Sequence, residues 1–143
     1  MLLPISLLTR GRTIEGKWVY GSYLKVPPYM ACIVGEKEKF EKDTKHLIIS
    51  LESSDWNLPF TRKEYEVLPN TVSFCTGLCA KNHYNYTNYI YEGDILEYED
   101  ECAIVVWEKH LARFSLKVNG ETYPLSKEWA SKCKIVGNVY ENS

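Results

Sequence analysis

Three residues spaced four apart, Cys75, Cys79 and His83, carry side-chain types that commonly bind zinc. On a helix this spacing would bring a thiolate, a second thiolate and an imidazole to one face. The intervening Thr76-Gly77-Leu78 is typical of a turn, and no obvious fourth ligand follows, whereas a structural zinc site needs four. We therefore expect ordinary cysteines here, no metal site and no cofactor.

Residues suited to catalysis are equally sparse. A nucleophilic cysteine needs a base within hydrogen-bond reach, and no local motif couples any of the three histidines to a thiol or a serine. Glu92 and Asp94 form a close carboxylate pair of the kind that acid-base chemistry uses. Gly93 between them more naturally marks a bend in which Asp94 hydrogen-bonds to its own backbone. Because no glycine lies in a phosphate-binding fingerprint either, we expect no catalytic residues and a protein that is not an enzyme.

An aromatic cluster is the most suggestive binding feature. Tyr84, Tyr86, Tyr89 and Tyr91 occupy one loop and the start of a strand, mostly at alternating positions. An extended backbone would therefore turn several rings to one face. Such rings can pack inside the protein, anchor a protein interface or stack on unpaired bases. Only Lys81 is basic nearby, which disfavours nucleic acid, and we take the four tyrosines as a candidate interaction surface.

Charge and cysteine content narrow the class of protein further. Seventeen Lys and Arg against nineteen Asp and Glu give a net charge of -2, which disfavours a general nucleic-acid coat protein. The five cysteines lack the dense, even pattern of a secreted disulfide scaffold, so reduced thiols in a cytoplasm are expected. We recognise no signal peptide and no apolar run long enough to span a membrane, and we expect no membrane partner.

The elements that must position these residues are short β-strands. Apolar runs are brief, alternate with polar residues and are interrupted by Gly, Pro, Asn and Asp, and no stretch sustains helical spacing. In the first half we expect a hairpin around Glu15-Gly16. Further strands are predicted at residues 31–34, 46–51 and 65–68.

The second half predicts five strands and one helical turn. Asn119-Gly120, which tolerates positive φ, should join the third and fourth strands, and Ser126 should cap a helical turn before the fifth. Five short strands in this order are typical of an SH3-like barrel. The predicted strands are residues 90–98, bent at Gly93-Asp94, and residues 103–107, 114–118, 121–123 and 134–140.

These observations predict a mainly β fold with two modules. An irregular N-terminal β module, residues 1–82, is expected to pack on a C-terminal SH3-like five-stranded barrel, residues 83–143. The boundary is placed where the apolar content drops and turn-forming residues gather.

Seven short motifs follow one another along nearly the whole chain, within residues 10–21, 46–49, 67–72, 76–82, 90–96, 105–107 and 135–142. In this order they resemble the motifs of the YopX family, small proteins carried by phages and prophages. Residues 83–88 depart from the family pattern by forming a longer loop. The motif residues that we expect to be structural are Trp18, Gly21, Gly77, Glu92, Gly93, Asp94, Trp107, Gly137 and Asn138.

The resemblance implies a mostly β phage or prophage protein with an SH3-like C-terminal part, working in the bacterial cytoplasm. It imports no catalytic residue. We expect a non-enzymatic binding or structural protein that self-associates, because open β edges need to be covered. Two alternatives stay open: a single-stranded nucleic-acid-binding module, and an inhibitor that docks on a host or rival-phage protein.

Overall fold

The computed structural model describes residues 8–28, 41–52, 59–81 and 88–141. The chain divides into two compact units, Met1–Val72 and Ser73–Ser143. Strands dominate the described residues and pair antiparallel, which confirms the mainly β fold. We predicted a boundary after residue 82. The units divide earlier because the strand Ser73–Cys79 pairs with Tyr89–Tyr91, on the other side of that predicted boundary.

The first unit contains four paired strands in the order β4-β3-β2-β1. The predicted hairpin around Glu15-Gly16 is confirmed: Gly16 has φ +92°, and its N–H donates to the Thr13 carbonyl over 2.9 Å. The predicted strand at residues 31–34 lies outside the described residues. The strands are β1 (Thr9–Arg12), β2 (Trp18–Val26), β3 (Lys45–Glu52) and β4 (Thr61–Glu66).

One face of this sheet forms a small core. Val19, Ile48 and Val67 are almost fully buried, and Tyr23 and Tyr65 pack against them. β4 begins before the strand predicted at residues 65–68, since its pairing with β3 extends over the polar residues that precede Tyr65. Burial of the apolar face is what stabilises these strands.

The second unit contains a strand pair and a five-stranded sheet in the order β10-β9-β8-β7-β11. The residues predicted to form one bent strand are two strands, β6 and β7, separated by a tight turn at Gly93 with φ +90°. The elements are β5 (Ser73–Cys79), β6 (Tyr89–Tyr91), β7 (Asp94–Tyr98), β8 (Glu101–Glu108), β9 (Arg113–Val118), β10 (Glu121–Pro124), α1 (Lys127–Ala130) and β11 (Lys134–Asn138).

Strand β5 was not predicted. Gly77 has φ +83° and lies in an irregular part of the β5–β6 register, between the pairs Cys75–Tyr91 and Cys79–Tyr89. The residues around Gly77 that suggested a turn therefore form a bulge inside a strand, where a positive φ is also needed.

The SH3-like barrel is not shown by the described strands. The five strands β7 to β11 and the helical turn overlap the predicted ranges, and the Ser126 side chain accepts the Trp129 N–H over 3.3 Å as an N-cap. The strand order nevertheless leaves β10 and β11 as the two edges, so the sheet is open across the residues that the structure describes. Its core contains Ile90, Leu96 and Val105, with the small residues Ala80 and Ala130.

Gly21 is required by the close approach of β2 and β3. A Cβ atom at this position would lie 2.1 Å from the Ile49 carbonyl oxygen, a backbone atom that cannot move away cheaply. At Gly137 a Cβ atom would meet only a carboxylate oxygen of Glu141, at 3.5 Å. These two motif glycines therefore differ in how strictly the fold requires them.

We predict that Gly21→Ala lowers the free energy of unfolding by about 3 kcal/mol, because overpacking forces backbone strands apart. Gly137→Ala is the matched control and should change it by less than about 0.5 kcal/mol. Urea unfolding followed by far-ultraviolet circular dichroism measures both. Equal midpoints for the two variants would contradict the assigned β2–β3 contact.

The β9–β10 turn offers a second test. Asn119 and Gly120 have φ +50° and +83°, and a Cβ atom at Gly120 would have no heavy atom within 4 Å. Gly120→Val should therefore destabilise by backbone strain alone, by about 1–2 kcal/mol, and Asn119→Val should act in the same direction. Lys117→Val, at an exposed strand position, is the control. Equal melting temperatures for all of these proteins would refute the hairpin.

Candidate functional site

The predicted tyrosine surface is only partly within the described residues. Tyr84 and Tyr86 lie outside them. Tyr89 is half-buried in β6, and Tyr91 is 3% exposed. Of the four predicted tyrosines, two are described, and one of these, Tyr91, presents no accessible ring to a partner.

The Gly93-Asp94 turn joins several parts of the second unit. Asp94 is 1% exposed, and its carboxylate accepts the Tyr91 N–H over 2.8 Å; the predicted turn hydrogen bond thus goes to the backbone of Tyr91 rather than to the backbone of Asp94 itself. The Gly93 N–H donates to the Val105 carbonyl over 2.8 Å, and the Gly93 carbonyl accepts the Val139 N–H over 2.9 Å. Asp94 is thereby held as a turn-forming residue, away from solvent.

The neighbouring motif residues also make structural contacts. The Glu92 N–H donates to the Phe74 carbonyl over 3.0 Å. The Asn138 side chain is 6% exposed and accepts the Tyr140 N–H over 3.0 Å. Gly137 lies where the register between β7 and β11 shifts.

The two motif tryptophans differ in their surroundings. Trp18 is half-buried, and the Arg10 guanidinium carbon lies 4.9 Å from its ring centroid. Trp107 is 45% exposed and packs edge-on against Phe114, with ring centroids 4.9 Å apart.

Cys75 and Cys79, which have the spacing considered for a zinc site, both lie in β5. Cys75 is buried and accepts the Gly77 N–H, whereas Cys79 is exposed; His83 lies outside the described residues. Within the part of the chain that the structure describes, no group of three or more His, Cys, Asp or Glu side chains is arranged to hold a metal ion. No helix among these residues is long and apolar enough to cross a membrane.

A groove of about 600 Å³ lies on one face of the five-stranded sheet, bordered by α1. Strand pairing explains which side chains reach it. Tyr98 of β7 is opposite Glu101 of β8, and Leu116 of β9 is opposite Tyr123 of β10. Because opposite residues share a face, these strands bring aromatic and acidic side chains together above an apolar floor.

Two aromatic rings of the groove are accessible to solvent. Trp129 of α1 is 47% exposed, and its ring centroid lies 5.5 Å from that of Tyr98 in an edge-to-face contact. Tyr123 is 49% exposed, and its hydroxyl donates to a Glu121 carboxylate oxygen over 2.7 Å. The rings are therefore fixed by neighbours while a large part of each remains open to solvent.

The charged groups that line the groove are acidic. Glu99, Glu101 and Glu121 are among the lining residues, and no Lys or Arg is, in the described part of the chain. The pKa of Tyr123 is raised, chiefly by its hydrogen bond to Glu121 and further by the negative charges of Glu121 and Glu101. The charged side chains of the groove lining are therefore of one sign, which favours a cationic ligand.

A strained turn holds one of these carboxylates. Glu99 and Asp100 connect β7 to β8 with φ +49° and +66°, a conformation that costs non-glycine residues of the order of 1–3 kcal/mol each. Two positive φ values give the tight turn that suits a two-residue hairpin.

Two cysteines also line the groove. Cys102 is exposed, and Cys133 is buried, which raises the pKa of its thiol by desolvation. The lining contains no histidine among the described residues. A protonated thiol without a neighbouring imidazole is a poor nucleophile.

The groove was missed from the sequence, although some of its signals were visible. The predicted Asn119-Gly120 hairpin and the predicted Ser126 cap determine where Tyr123 and Trp129 lie. What could not be inferred was that β7, β8 and β9 would place Tyr98, Glu101 and an apolar floor on the same face.

Comparison with known proteins identifies the family. A family model described as YopX protein matches residues 15–143, which is nearly the whole chain. No curated protein matches the chain. Because the match covers both compact units, it confirms the resemblance carried by the seven motifs. The chain belongs to the YopX family.

Proposed function

We propose that this protein is a non-enzymatic binding protein of phage type, and that it binds a segment of another polypeptide in the groove of the second unit. The observation that carries the proposal is the pair of half-exposed rings, Trp129 and Tyr123, above an apolar floor. A concave, largely apolar site with a few polar groups is the usual form of a binding site. Membership of the YopX family supports the phage-type assignment.

Fixed geometry makes these rings suitable as anchors. Trp129 is oriented by the Ser126 cap and by its contact with Tyr98, and Tyr123 by strand pairing and its bond to Glu121. Tryptophan and tyrosine carry most of the binding energy at many interfaces. A ring that is already ordered loses less side-chain entropy when a partner binds.

The surroundings of the groove support binding without catalysis. Burial raises the pKa of its buried thiol, Cys133, and the Asp94 carboxylate is buried and accepts the Tyr91 N–H. The four cysteines that the structure describes are free thiols, of which Cys79 and Cys102 are exposed. Exposed free thiols suit a reducing bacterial cytoplasm, where we propose that the protein works.

Negative charge in the groove weighs against single-stranded nucleic acid as the ligand, since phosphates would be repelled by Glu99, Glu101 and Glu121. An inhibitor that docks on a host or rival-phage protein would also bind a polypeptide, and it could use the same groove. The groove therefore favours a polypeptide ligand.

Self-association is a second candidate, carried by a separate feature of the first unit. On the sheet face opposite its core, Tyr20, Leu24 and Leu51 are 38%, 46% and 48% exposed. β4, the outer strand, is paired with β3 and carries exposed charges, including an ion pair between Arg62 and Glu64 at 2.7 Å. Charges on an edge disfavour strand addition, so we propose that copies associate through the apolar face instead.

The binding proposal predicts the outcome of selection from an unbiased displayed-peptide library. Wild-type protein should enrich a peptide family, and Trp129→Ala should lose at least about tenfold in affinity for its members, as for a central anchor. Trp107→Ala is the matched control, because Trp107 is equally exposed and also packs edge-on against one ring. No enriched family, or equal losses in both variants, would refute the groove as a binding site.

Self-association predicts a solution mass about twice the 16.6 kDa of one chain, measured by light scattering at increasing concentration. The double variant Leu24→Ser, Leu51→Ser should return the mass to that of a monomer. Leu111→Ser, at a residue 49% exposed in the second unit, should not. A strict monomer at high concentration would contradict self-association and leave the groove proposal standing.

A further inference from the structure

We infer that the ligand of the groove is a short, extended, basic segment of another polypeptide, with Lys or Arg side chains placed between the carboxylates and the rings. This inference rests on the proposed function, because it names the chemistry of the segment that the groove binds. Nothing in the family match assigns a ligand to this site.

The acidic side chains that line the groove favour a basic ligand. Glu121 accepts the hydrogen bond of the Tyr123 hydroxyl, and Glu101 is opposite Tyr98 across the β7–β8 pair, so both carboxylates adjoin rings that line the groove. Glu99 adds a third carboxylate from the turn between β7 and β8. The second unit as a whole has seven Lys and Arg against ten Asp and Glu, so the wider field has the same sign. A cationic segment would be attracted over a distance and held by complementary charge.

The aromatic rings of the groove also favour a cationic ligand. A cation is attracted to the face of an indole or phenol ring, and most strongly to tryptophan. Trp129 already makes such a contact within the chain, because the Lys132 ammonium lies 5.4 Å from its ring centroid. Lys132 is exposed and does not line the groove. A basic side chain of the ligand would meet the same ring from the groove.

Size and shape indicate a short segment. A volume of about 600 Å³ accommodates a few side chains and not the surface of a folded domain. The floor is made by residues of β7, β8 and β9, including Leu96, Ala103 and Leu116. An extended peptide lying over this floor can pack its aliphatic stems on the partly exposed Ala103 and Val118 and direct its charged ends to the carboxylates, as Lys and Arg side chains commonly do.

Defined probes test the inference directly. A fluorescein-labelled peptide of four Arg-Ser repeats is titrated with the protein and followed by anisotropy at low and at physiological salt. The same peptide with Glu in place of Arg, and the polyamine spermidine as a competitor, complete the set. We expect the Arg peptide to bind with an affinity that falls as salt rises, and the Glu peptide not to bind. Spermidine should compete only weakly, because it cannot pack on the apolar floor.

Variants locate the binding and separate charge from stacking. Glu101→Gln combined with Glu121→Gln keeps the shape and should weaken binding of the Arg peptide roughly fivefold at low salt. Glu97→Gln combined with Glu128→Gln is the control with an equal charge change outside the groove lining, and it should have less than about half that effect. Lys132→Gln should tighten binding about twofold, since it removes a competing cation from Trp129.

Three results would overturn the inference: no binding of the Arg peptide at low salt, equal weakening by the two double variants, or displacement by spermidine at concentrations matching the peptide. The library selection distinguishes this failure from failure of the proposed function. If peptides that depend on Trp129 are enriched but lack Lys and Arg, the groove binds polypeptides and the basic ligand is wrong. If no such peptides are enriched, both proposals fail.

Discussion

The hydrogen-bonded turn at Gly93-Asp94 is the constraint on which the second unit depends. A positive φ at Gly93 lets its N–H reach β8 and its carbonyl accept from Val139, just after β11, while the Asp94 carboxylate fixes the preceding strand through Tyr91. A Cβ atom at Gly93 would lie 2.5 Å from the Tyr140 ring, so only glycine fits. One tight turn thus sets the relation of β6, β7 and β8 to the end of the chain.

The groove is a consequence of that arrangement. Once β7 and β8 are in register, Tyr98 and Glu101 are opposite each other, and the β9–β10 hairpin adds Tyr123 and Glu121 to the same face. At one end of this face, Leu96 and Val105 are buried and form the core together with Ala130 of α1. The other end stays open, and there the half-exposed rings of Tyr123 and Trp129 lie next to acidic side chains, as is typical of a binding surface rather than a core.

Local chemistry made much of the fold predictable. The Glu15-Gly16 and Asn119-Gly120 turns need positive φ, and the Ser126 cap needs only its neighbours, so each followed from a few adjacent residues. β5 was missed because Gly77 has the same conformational signal in a bulge as in a turn. The groove depends on the registers of three successive hairpins taken together, and the strand order of the sheet depends on the pairing of β7 with the distant β11; short-range patterns encode neither.

The central claim is that a basic polypeptide segment occupies the groove beside Trp129. Nuclear magnetic resonance of the labelled protein with the Arg-Ser peptide tests it most directly, through intermolecular nuclear Overhauser effects at the indole rings. Effects between Arg methylene protons and the rings of Trp129 and Tyr123, with none at Trp107, are the expected result. Effects at Trp107 or in the first unit, with none at Trp129, would contradict the account.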